Sequence, residues 1–580
     1  MTRNICKNCA RMLETLRRYW GYERFRPMQA EIITEALAGR DVLAILPTGG
    51  GKSICFQVPA LMQDGICLVV SPLIALMKDQ VQHLRDRGIP ALAVYSGMTY
   101  REIDITLDNA VYGDYKFLYV SPERLRTPLF QTRLQRMHVN FLVVDEAHCI
   151  SQWGYDFRPD YLEIASMRQL IGPQVPVIAL TATATPVVAR DIMEKLGFRR
   201  ENLLTGDFAR PNLSYVFRKT DDKMGQLLKV CESVEGSGIV YVARRKSAED
   251  IAAFLRSRGM AAEAYHAGMP HEARSRVQQA WKAGETRLIV STNAFGMGID
   301  KPDVRLVCHY DMPDTLEGYY QEAGRAGRDG LNAFAVLLWN RSDVARLRQT
   351  LRTSFPPLDT IREVYQQVCS YLGFAYEEGK DACVKFEVEK FARRFHVPAS
   401  TAWYAVKYIE TAGYWTLSET LQIPAKVQFA VSRDELYRIQ LGSADTDRFV
   451  KLLLRMYTGL FTEYVPVDID KIAQAGRYAP AVAEEKLREL ARRQVLKFIP
   501  AINAPMLTLH TERLVPKNLR LPQQDWDDRV RRRTERLDAF VALVENDAEC
   551  RCTQMYRYFG QPVEKPCGKC DVCRLQNPRE

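Results

Sequence analysis

The chain is 580 residues long, with 80 Lys and Arg against 70 Asp and Glu for a net charge of +10, and 47% of it is hydrophobic. At about 150 residues per domain, that length exceeds one compact core several-fold, and the mild basicity suits a polyanion partner without requiring one. The longest apolar stretch, residues 66–77, is broken by Ser71 and Pro72 and is too short to span a bilayer, which argues against a helical membrane segment there.

The first residues, Met1 to Cys6, lack a basic-then-apolar leader, so a reducing cytoplasm is expected and the 14 cysteines are not read as a disulfide framework. Cys6-x2-Cys9 has ligand-like spacing but supplies half a site. From Gln29 to about Gly206, apolar runs at 42–46, 67–71, 91–95, 117–120, 141–144 and 177–180 alternate with helical periodicity, the pattern of a parallel sheet wrapped by helices.

Within that pattern, Leu46-Pro47-Thr48-Gly49-Gly50-Gly51-Lys52-Ser53 reads as strand, glycine turn, helix. Backbone N–H groups of such a turn close around phosphate oxygens, and the helix dipole faces the same anion. Lys52 is then placed for the β/γ-phosphates and Ser53 for Mg²⁺. Asp145-Glu146-Ala147-His148 follows the apolar run 141–144, where a sheet of this class binds ligands. Asp145 suits Mg²⁺, Glu146 suits orienting and deprotonating a water, and His148 suits a link to neighbouring motifs. Leu180-Thr181-Ala182-Thr183-Ala184-Thr185 adds hydroxyls at another strand end.

The alternation repeats from Leu213 to about Asn340, with a hinge expected near Phe208-Ala209-Arg210-Pro211-Asn212. In the second lobe, Gln321-Glu322-Ala323-Gly324-Arg325-Ala326-Gly327-Arg328 places Arg325 and Arg328 three residues apart, on one helical face, to meet the charge on a γ-phosphate held by the first lobe. After Pro356-Pro357 the chain turns mainly helical. Helices over 385–395 and from Ser400 to about Ala412, then strands 414–417 and 426–431, outline one winged helix. Helices over 468–475 and 480–493, with strands 495–499 and 506–509 around Asn503-Ala504-Pro505, outline a second. A charged helix over 529–546 leads to Cys567-x2-Cys570-x2-Cys573, with Cys550 or Cys552 upstream. Four thiolates suit structural zinc, and the same spacing suits an iron–sulfur cluster.

LPTGGGKS, DEAH, LTATAT, STNAFGMGIDKPDV (291–304) and QEAGRAGRDG (321–330), in this order and spacing, resemble the helicase core of the RecQ family in superfamily two over roughly residues 10–340. An apolar residue where the phosphate loop's first glycine would stand, here Leu46, is common in such helicases. Two further stretches resemble RecQ in particular. Tyr22-Glu23-Arg24-Phe25-Arg26-Pro27-Met28-Gln29 resembles its adenine-recognition motif, which implies that Arg26 and Gln29 read the base and Tyr22 stacks. Residues 149–159, with Trp153, Phe157 and Arg158, resemble its aromatic-rich loop, which suits stacking on unpaired bases. Ser71 to Lys78, residues 121–124 and Thr292 match its strand-binding motifs. The cysteine cluster resembles the RecQ zinc module, and the resemblance selects zinc and Cys550 over Cys552.

The fold implied is α/β: two tandem RecA-like lobes at 1–207 and 208–345, linker helices with the first winged helix at 346–435, the second at 436–520, and a helical hairpin with a four-cysteine zinc module at 521–580. The order departs from the usual one, because the winged-helix block precedes the zinc module, which is therefore expected to pack back on the second lobe. The activity implied is ATP-driven 3′-to-5′ movement on single-stranded DNA and unwinding of duplex in recombination and repair, by a monomer acting on single-stranded and forked duplex DNA in the bacterial cytoplasm, at the nucleoid. The displaced winged-helix block keeps open a remodeller of nucleoprotein complexes, and a winged-helix DNA-binding regulator with an ATPase switch.

Overall fold

A computed structural model of the chain describes residues 2–95, 98, 100–151, 153–154, 157–295, 301–417, 421–423, 425–438, 444–500, 502–561 and 565–576. The chain divides into two compact units, Met1–Arg352 joined by Asp527–Glu580, and Thr353–Trp526. No helix among the described residues is long and apolar enough to cross a membrane.

In the first unit, β1 (Val42–Ile45), β2 (Ile66–Val70), β3 (Ala91–Val94), β4 (Phe117–Val120), β5 (Val139–Val144), β6 (Val177–Thr181) and β7 (Leu203–Thr205) form one sheet in the order β3-β4-β2-β5-β6-β1-β7. Every pairing in it is parallel. Because helices cover both faces, these strands are apolar throughout rather than alternating, and β1, β2, β4, β5 and β6 are buried along their whole length. Each fully buried Val, Leu or Ile contributes about 1.5–3 kcal/mol. The strand order has a functional consequence. β2, β5, β6 and β1 are neighbours, so the turns after them, bearing Ser71, Asp145–His148, Thr181–Thr185 and the glycine loop, emerge side by side at one end.

A second parallel sheet follows, β8 (Leu213–Lys219), β9 (Ser237–Tyr241), β10 (Ala262–Tyr265), β11 (Leu288–Ser291), β12 (Val304–His309) and β13 (Ala333–Trp339), ordered β10-β11-β9-β12-β13-β8. After β12 comes the helix Leu316–Ala323, capped by Thr315, whose hydroxyl accepts from the Gly318 N–H at 3.1 Å. The helix stops at Ala323, so Arg325 and Arg328 stand on the turns after it and not on a helical face. Gly324 is still right-handed at the helix end, and its lack of a Cβ lets the turn lie directly against Thr48, while Gly327, at φ +63°, carries the chain out of the helical path. The zinc module packs on the hinge and second lobe as expected: Asp571 accepts from the Phe217 N–H at 3.1 Å, and Tyr558 donates to Glu317 at 2.8 Å.

The second unit corrects the expected strand pairing. Its strands are β14 (Cys383–Lys385), β15 (Trp415–Leu417), β16 (Leu421–Ile423), β17 (Ala425–Phe429), β18 (Val465–Val467), β19 (Leu496–Ile499), β20 (Ile502–Ala504) and β21 (Met506–Leu509). Strand 415–417 does not pair with 425–429, nor 496–499 with 506–509. Instead β15 pairs with β21, β16 with β20 and β17 with β19, all antiparallel. These three pairings form a two-stranded ribbon with a winged-helix sheet at each end, β14-β21-β15 at one and β18-β17-β19 at the other. The inner winged helix, 425–499, is thus inserted into the wing of the outer one.

The two are copies. His396 and Arg477, both left-handed at φ 56° and 57°, stand 81 residues apart, as do Gly413 and Gln494 at φ 85° and 58°. The same interval relates the buried pairs Phe391 and Ile472, Ala402 and Ala483, Val406 and Leu487, Ile409 and Leu490, and Trp415 and Leu496. The inner copy is permuted, since its middle strand β17 comes first whereas the outer copy's middle strand β21 comes last. Lesser differences concern ends: Lys385 lies in β14, the following helix is Val388–Phe395, Pro398 rather than Ser400 precedes the helix Ala399–Thr411, and the charged helix is longer, Gln523–Glu545.

Candidate active site

Gly49 and Gly51, at φ 81° and 75°, turn the chain after β1, and Ser53 stands just before the helix Ile54–Leu61 with no capping bond from its hydroxyl. Only glycine takes this conformation without strain. Lys52 Nζ lies 3.6 Å from Glu146 Oε1. Glu146 itself is left-handed, at φ 47°, a conformation that costs a non-glycine residue about 1–3 kcal/mol and recurs at functional sites. Burial opposes its ionisation, but Lys52, helped by His148 and Arg325, outweighs it and holds the carboxyl below its ordinary value. Asp145 goes the other way, to about 6, because burial and then the Glu146 charge both disfavour its anion. The two neighbours therefore differ in proton affinity, Glu146 being the stronger acid. The Asp145 carboxylate accepts from the Glu146 N–H at 3.0 Å and from Ser71 Oγ at 3.4 Å. His148 Nδ1 sits 3.0 Å from Thr181 Oγ1 and 3.4 Å from Glu146 Oε2, the link to the threonine motif that its position suggested.

The second lobe completes the cleft. Gln321, Arg325 and Arg328 line it together with Tyr22, Arg26, Lys52, Asp145 and Glu146, around a space of about 1380 Å³. Arg325 acts electrostatically on Glu146, and Arg328 Cγ lies 3.1 Å from the Cβ position of Gly49. Among the residues of the motif 22–29, Arg26 donates to the Gly49 carbonyl, Gln29 Nε2 donates to the Gly51 carbonyl at 2.9 Å, and Tyr22 is 54% exposed. Ser53 and Asp145 offer the hard oxygens that Mg²⁺ prefers, beside the phosphate turn, so the donor set fits the ion.

The aromatic loop is held from three sides. Ser151 Oγ donates to Asp191 and accepts from the Trp153 N–H at 3.1 Å. Arg158 Nη1 donates to the Pro72 carbonyl at 3.2 Å. From the helix Gln523–Glu545, Arg536 donates to the Trp153 and Gly154 carbonyls, and Arg532 lies 3.6 Å over the Trp153 ring. Trp153, Phe157 and Arg158 are half-buried. Lys78 lies 4.8 Å over the Tyr95 ring, Thr292 is buried and its hydroxyl accepts from the Ala294 N–H, and Ser71 faces Asp145 from the buried side. Gln152, Tyr155, Asp156, residues 296–300 and the Cys6 side chain lie outside the described residues.

Cys550, Cys567, Cys570 and Cys573 bring their sulfurs within 4.8 Å of one another. Cys567 to Cys573 and Cys570 to Cys550 are both 3.9 Å, close to the edge of about 3.8 Å that a tetrahedron with Zn–S bonds near 2.3 Å requires. Backbone N–H groups of Cys567, Cys570 and Cys573 point at the sulfurs, at 3.3–3.4 Å. Such a cage fits one ion rather than a cluster of several irons and sulfides. Cys552 is buried outside the set.

Sequence reasoning missed Arg210, Arg532 and Arg536. The first was absorbed into the hinge. The other two, spaced i,i+4, are legible only as part of a charged helix, since what they touch at the aromatic loop, a ring face and main-chain carbonyls, carries no sequence signature.

Four family models match in order: DEAD/DEAH box helicase at 26–192, helicase conserved C-terminal domain at 221–330, RecQ helicase winged-helix domain of Bacteroidota at 427–500, and RecQ zinc-binding at 512–574. The winged-helix match coincides with the inner copy. The chain is 44% identical over 340 residues to an "ATP-dependent DNA helicase RecQ" of Haemophilus influenzae, covering 58% of this chain and 55% of that protein. It is also 44% identical over 333 residues to the RecQ of Bacillus subtilis, covering 57% and 56%. The chain thus spans about half the length of these relatives. With "Probable ATP-dependent DNA helicase RecS" of Bacillus subtilis it shares 39% identity over 359 residues, 61% of this chain and 72% of that protein. With the phosphate cleft, the arginine turn and the four-cysteine cage assembled as described, the chain belongs to the RecQ family of helicases.

Proposed function

We propose that the chain hydrolyses ATP to move along single-stranded DNA, 3′ to 5′ as the family resemblance implies, and separates duplex DNA. One observation carries the reading: the turn bearing Arg325 and Arg328 on the second lobe lies against the phosphate turn of the first, across a cleft that holds Lys52 and Glu146. Tyr22, Arg26 and Gln29 hold the adenine, and Thr48 to Ser53 wrap the phosphates. Glu146, kept ionised by Lys52, orients a water and accepts its proton. Arg325 and Arg328, with Gln321 beside them, meet the charge that spreads over the transferred phosphoryl group. A Mg²⁺ ion at Ser53 and Asp145 would supply neutralisation of the β- and γ-phosphate charge.

DNA occupies the other side of the same end of the sheet. Trp153 and Phe157 stack on bases, while Arg158, Lys78, Ser71 and Thr292 follow the backbone, and a filled loop reports to Glu146 through the short path from Ser151 to His148. Zinc at Cys550, Cys567, Cys570 and Cys573 holds the module on the hinge. The working unit is taken as a monomer acting at the bacterial nucleoid.

ATPase and unwinding assays on forks with a 3′ or a 5′ single-stranded tail, in DNA and RNA versions, test this. The expected outcome is hydrolysis stimulated by single-stranded DNA and opening of 3′-tailed forks. Opening of only 5′-tailed or RNA forks would contradict it. A second reading, translocation that strips bound proteins without opening duplex, is favoured by the outer winged helix, whose wing continues into the ribbon and ends in the inner copy rather than in a free tip. Stimulated hydrolysis with no fork opened would select that reading.

A further inference from the structure

The segment between the lobes does more than connect them. Arg210 donates through Nη1 to the carbonyls of Thr48, at 3.2 Å, and Gly324, at 3.3 Å, and through Nη2 to those of Ala326, at 2.8 Å, and Gly327, at 3.0 Å. One guanidinium thus ties the phosphate turn of the first lobe to the arginine-bearing turn of the second. Its planar fork suits this, since it presents several fixed donors at once. The neighbouring Asn212 Nδ2 reinforces the second turn, donating to the Gly327 carbonyl at 2.7 Å and the Leu331 carbonyl at 2.9 Å.

The hinge backbone is set in turn by the cysteine-bearing module. Tyr556 OH accepts from the Arg210 N–H at 3.3 Å. Gln561 brackets the segment, accepting from the Phe208 N–H at 3.0 Å and donating to the Gly206 carbonyl at 2.7 Å. Phe559 stacks on the fully buried Phe208, with ring centroids 5.3 Å apart and planes within 7°, and Lys569 donates to the Pro211 carbonyl.

We propose that Arg210 is a positioning residue for phosphoryl transfer: held by Tyr556 and the zinc module, it sets the apposition of the turn carrying Arg325 and Arg328 against the Thr48–Gly49 backbone. The inference rests on the proposed ATPase reading. Arg210 touches carbonyls on both turns, and its neighbours in the cleft, not Arg210 itself, meet the nucleotide. Its loss therefore misplaces the second-lobe arginines while leaving adenine and phosphate binding by the first lobe in place.

The test compares Arg210→Gln, Arg210→Lys and Tyr556→Phe in the full chain, reading kcat for DNA-stimulated hydrolysis, Kd for a fluorescent non-hydrolysable ATP analogue, and Tm. Arg210→Gln is expected to lower kcat on the order of 10²-fold, the scale of a roughly 1 Å misplacement, while Kd moves by less than about threefold, since ground-state binding is retained. Arg210→Lys keeps the charge but cannot span four carbonyls, and an intermediate loss of roughly tenfold is expected. Tyr556→Phe keeps the ring and removes the acceptor, with a smaller loss of kcat at unchanged Kd. Full turnover in Arg210→Lys, or a loss of nucleotide affinity that matches the loss of kcat, overturns the proposal, and the lysine variant decides the matter where the glutamine variant does not fold. A wild-type chain without ATPase activity would instead overturn the underlying reading.

Discussion

Each unit of the molecule contains a pair of like folds, and the two pairs are joined in opposite ways. The lobes follow one another in sequence, each sheet complete within its own stretch, and a short hinge around Arg210 connects them. The winged helices are interleaved: the outer copy's sheet is completed by a strand that arrives after the whole inner copy has been made. A tandem joint leaves two bodies whose facing turns meet at the cleft through polar groups, here carbonyls, arginines and a carboxylate, which is what a site that closes on a ligand needs. A ribbon joint makes the backbone ladder itself the connection and ties the packing of one copy to that of the other.

The sharpest way to break the comparison is at the contact between lobes. Arg325→Ala is expected to reduce DNA-stimulated hydrolysis by about 10³–10⁵, the range for arginines that meet transferring phosphoryl charge, with little change in Tm because the apolar core is left intact. A variant that hydrolyses normally would show that the two lobes do not share one site. At the ribbon, Leu507→Ala removes a fully buried side chain from the strand that closes the outer copy, and a loss of about 2–5 kcal/mol is expected. If the ladder couples the copies, hydrogen exchange rises in both Leu358–Tyr371 and Ala444–Met456, the long helices of the outer and inner copies. A rise confined to the first would leave them independent.

The smallest expected effect belongs to the aromatic loop. Arg536→Ala removes two donors to its carbonyls and should raise the DNA concentration for half-maximal ATPase stimulation roughly 2- to 10-fold, the equivalent of a net hydrogen-bond contribution of about 0.5–1.5 kcal/mol. An unchanged DNA titration would remove the helix Gln523–Glu545 from any part in holding the loop.

The tandem pair was legible in the amino-acid order and the interleaved pair was not, for a physical reason. Val42–Ile45 and Val139–Val144 are apolar on both faces because a parallel sheet buries both, and the glycine loop and Asp145-Glu146 directly follow them, so local pattern and site coincide. Trp415-Thr416-Leu417 reads as a short strand whichever partner it takes, and its partner lies some 90 residues on. The 81-residue repeat was hidden because its shared features are backbone turns and core volumes. His396 answers to Arg477 and Gly413 to Gln494, side chains with nothing in common except the left-handed conformation they adopt. Arg325 and Arg328 are legible as a pair but not in their conformation, since their three-residue spacing suits a helix as well as the turns that follow Ala323. Three members of the cysteine set are legible by spacing, Cys567-x2-Cys570-x2-Cys573, whereas Cys550 is separated from Cys552 only by the family resemblance, because both lie upstream at spacings that suit a ligand.

The permuted order of the inner winged helix also bears on how the chain is made. Translation delivers β15 early, but its sheet lacks a middle strand until Met506–Leu509 emerges, whereas the inner copy has all three of its strands once Ile499 is out. Assembly is therefore expected to run from the inside outward, the inner copy condensing first and carrying the second arm of the ribbon back into register. Ribosome-bound chains arrested with Ile502 just exposed should resist protease across 444–499 while remaining open across 358–417, and protection should spread to the earlier segment only when β21 has emerged.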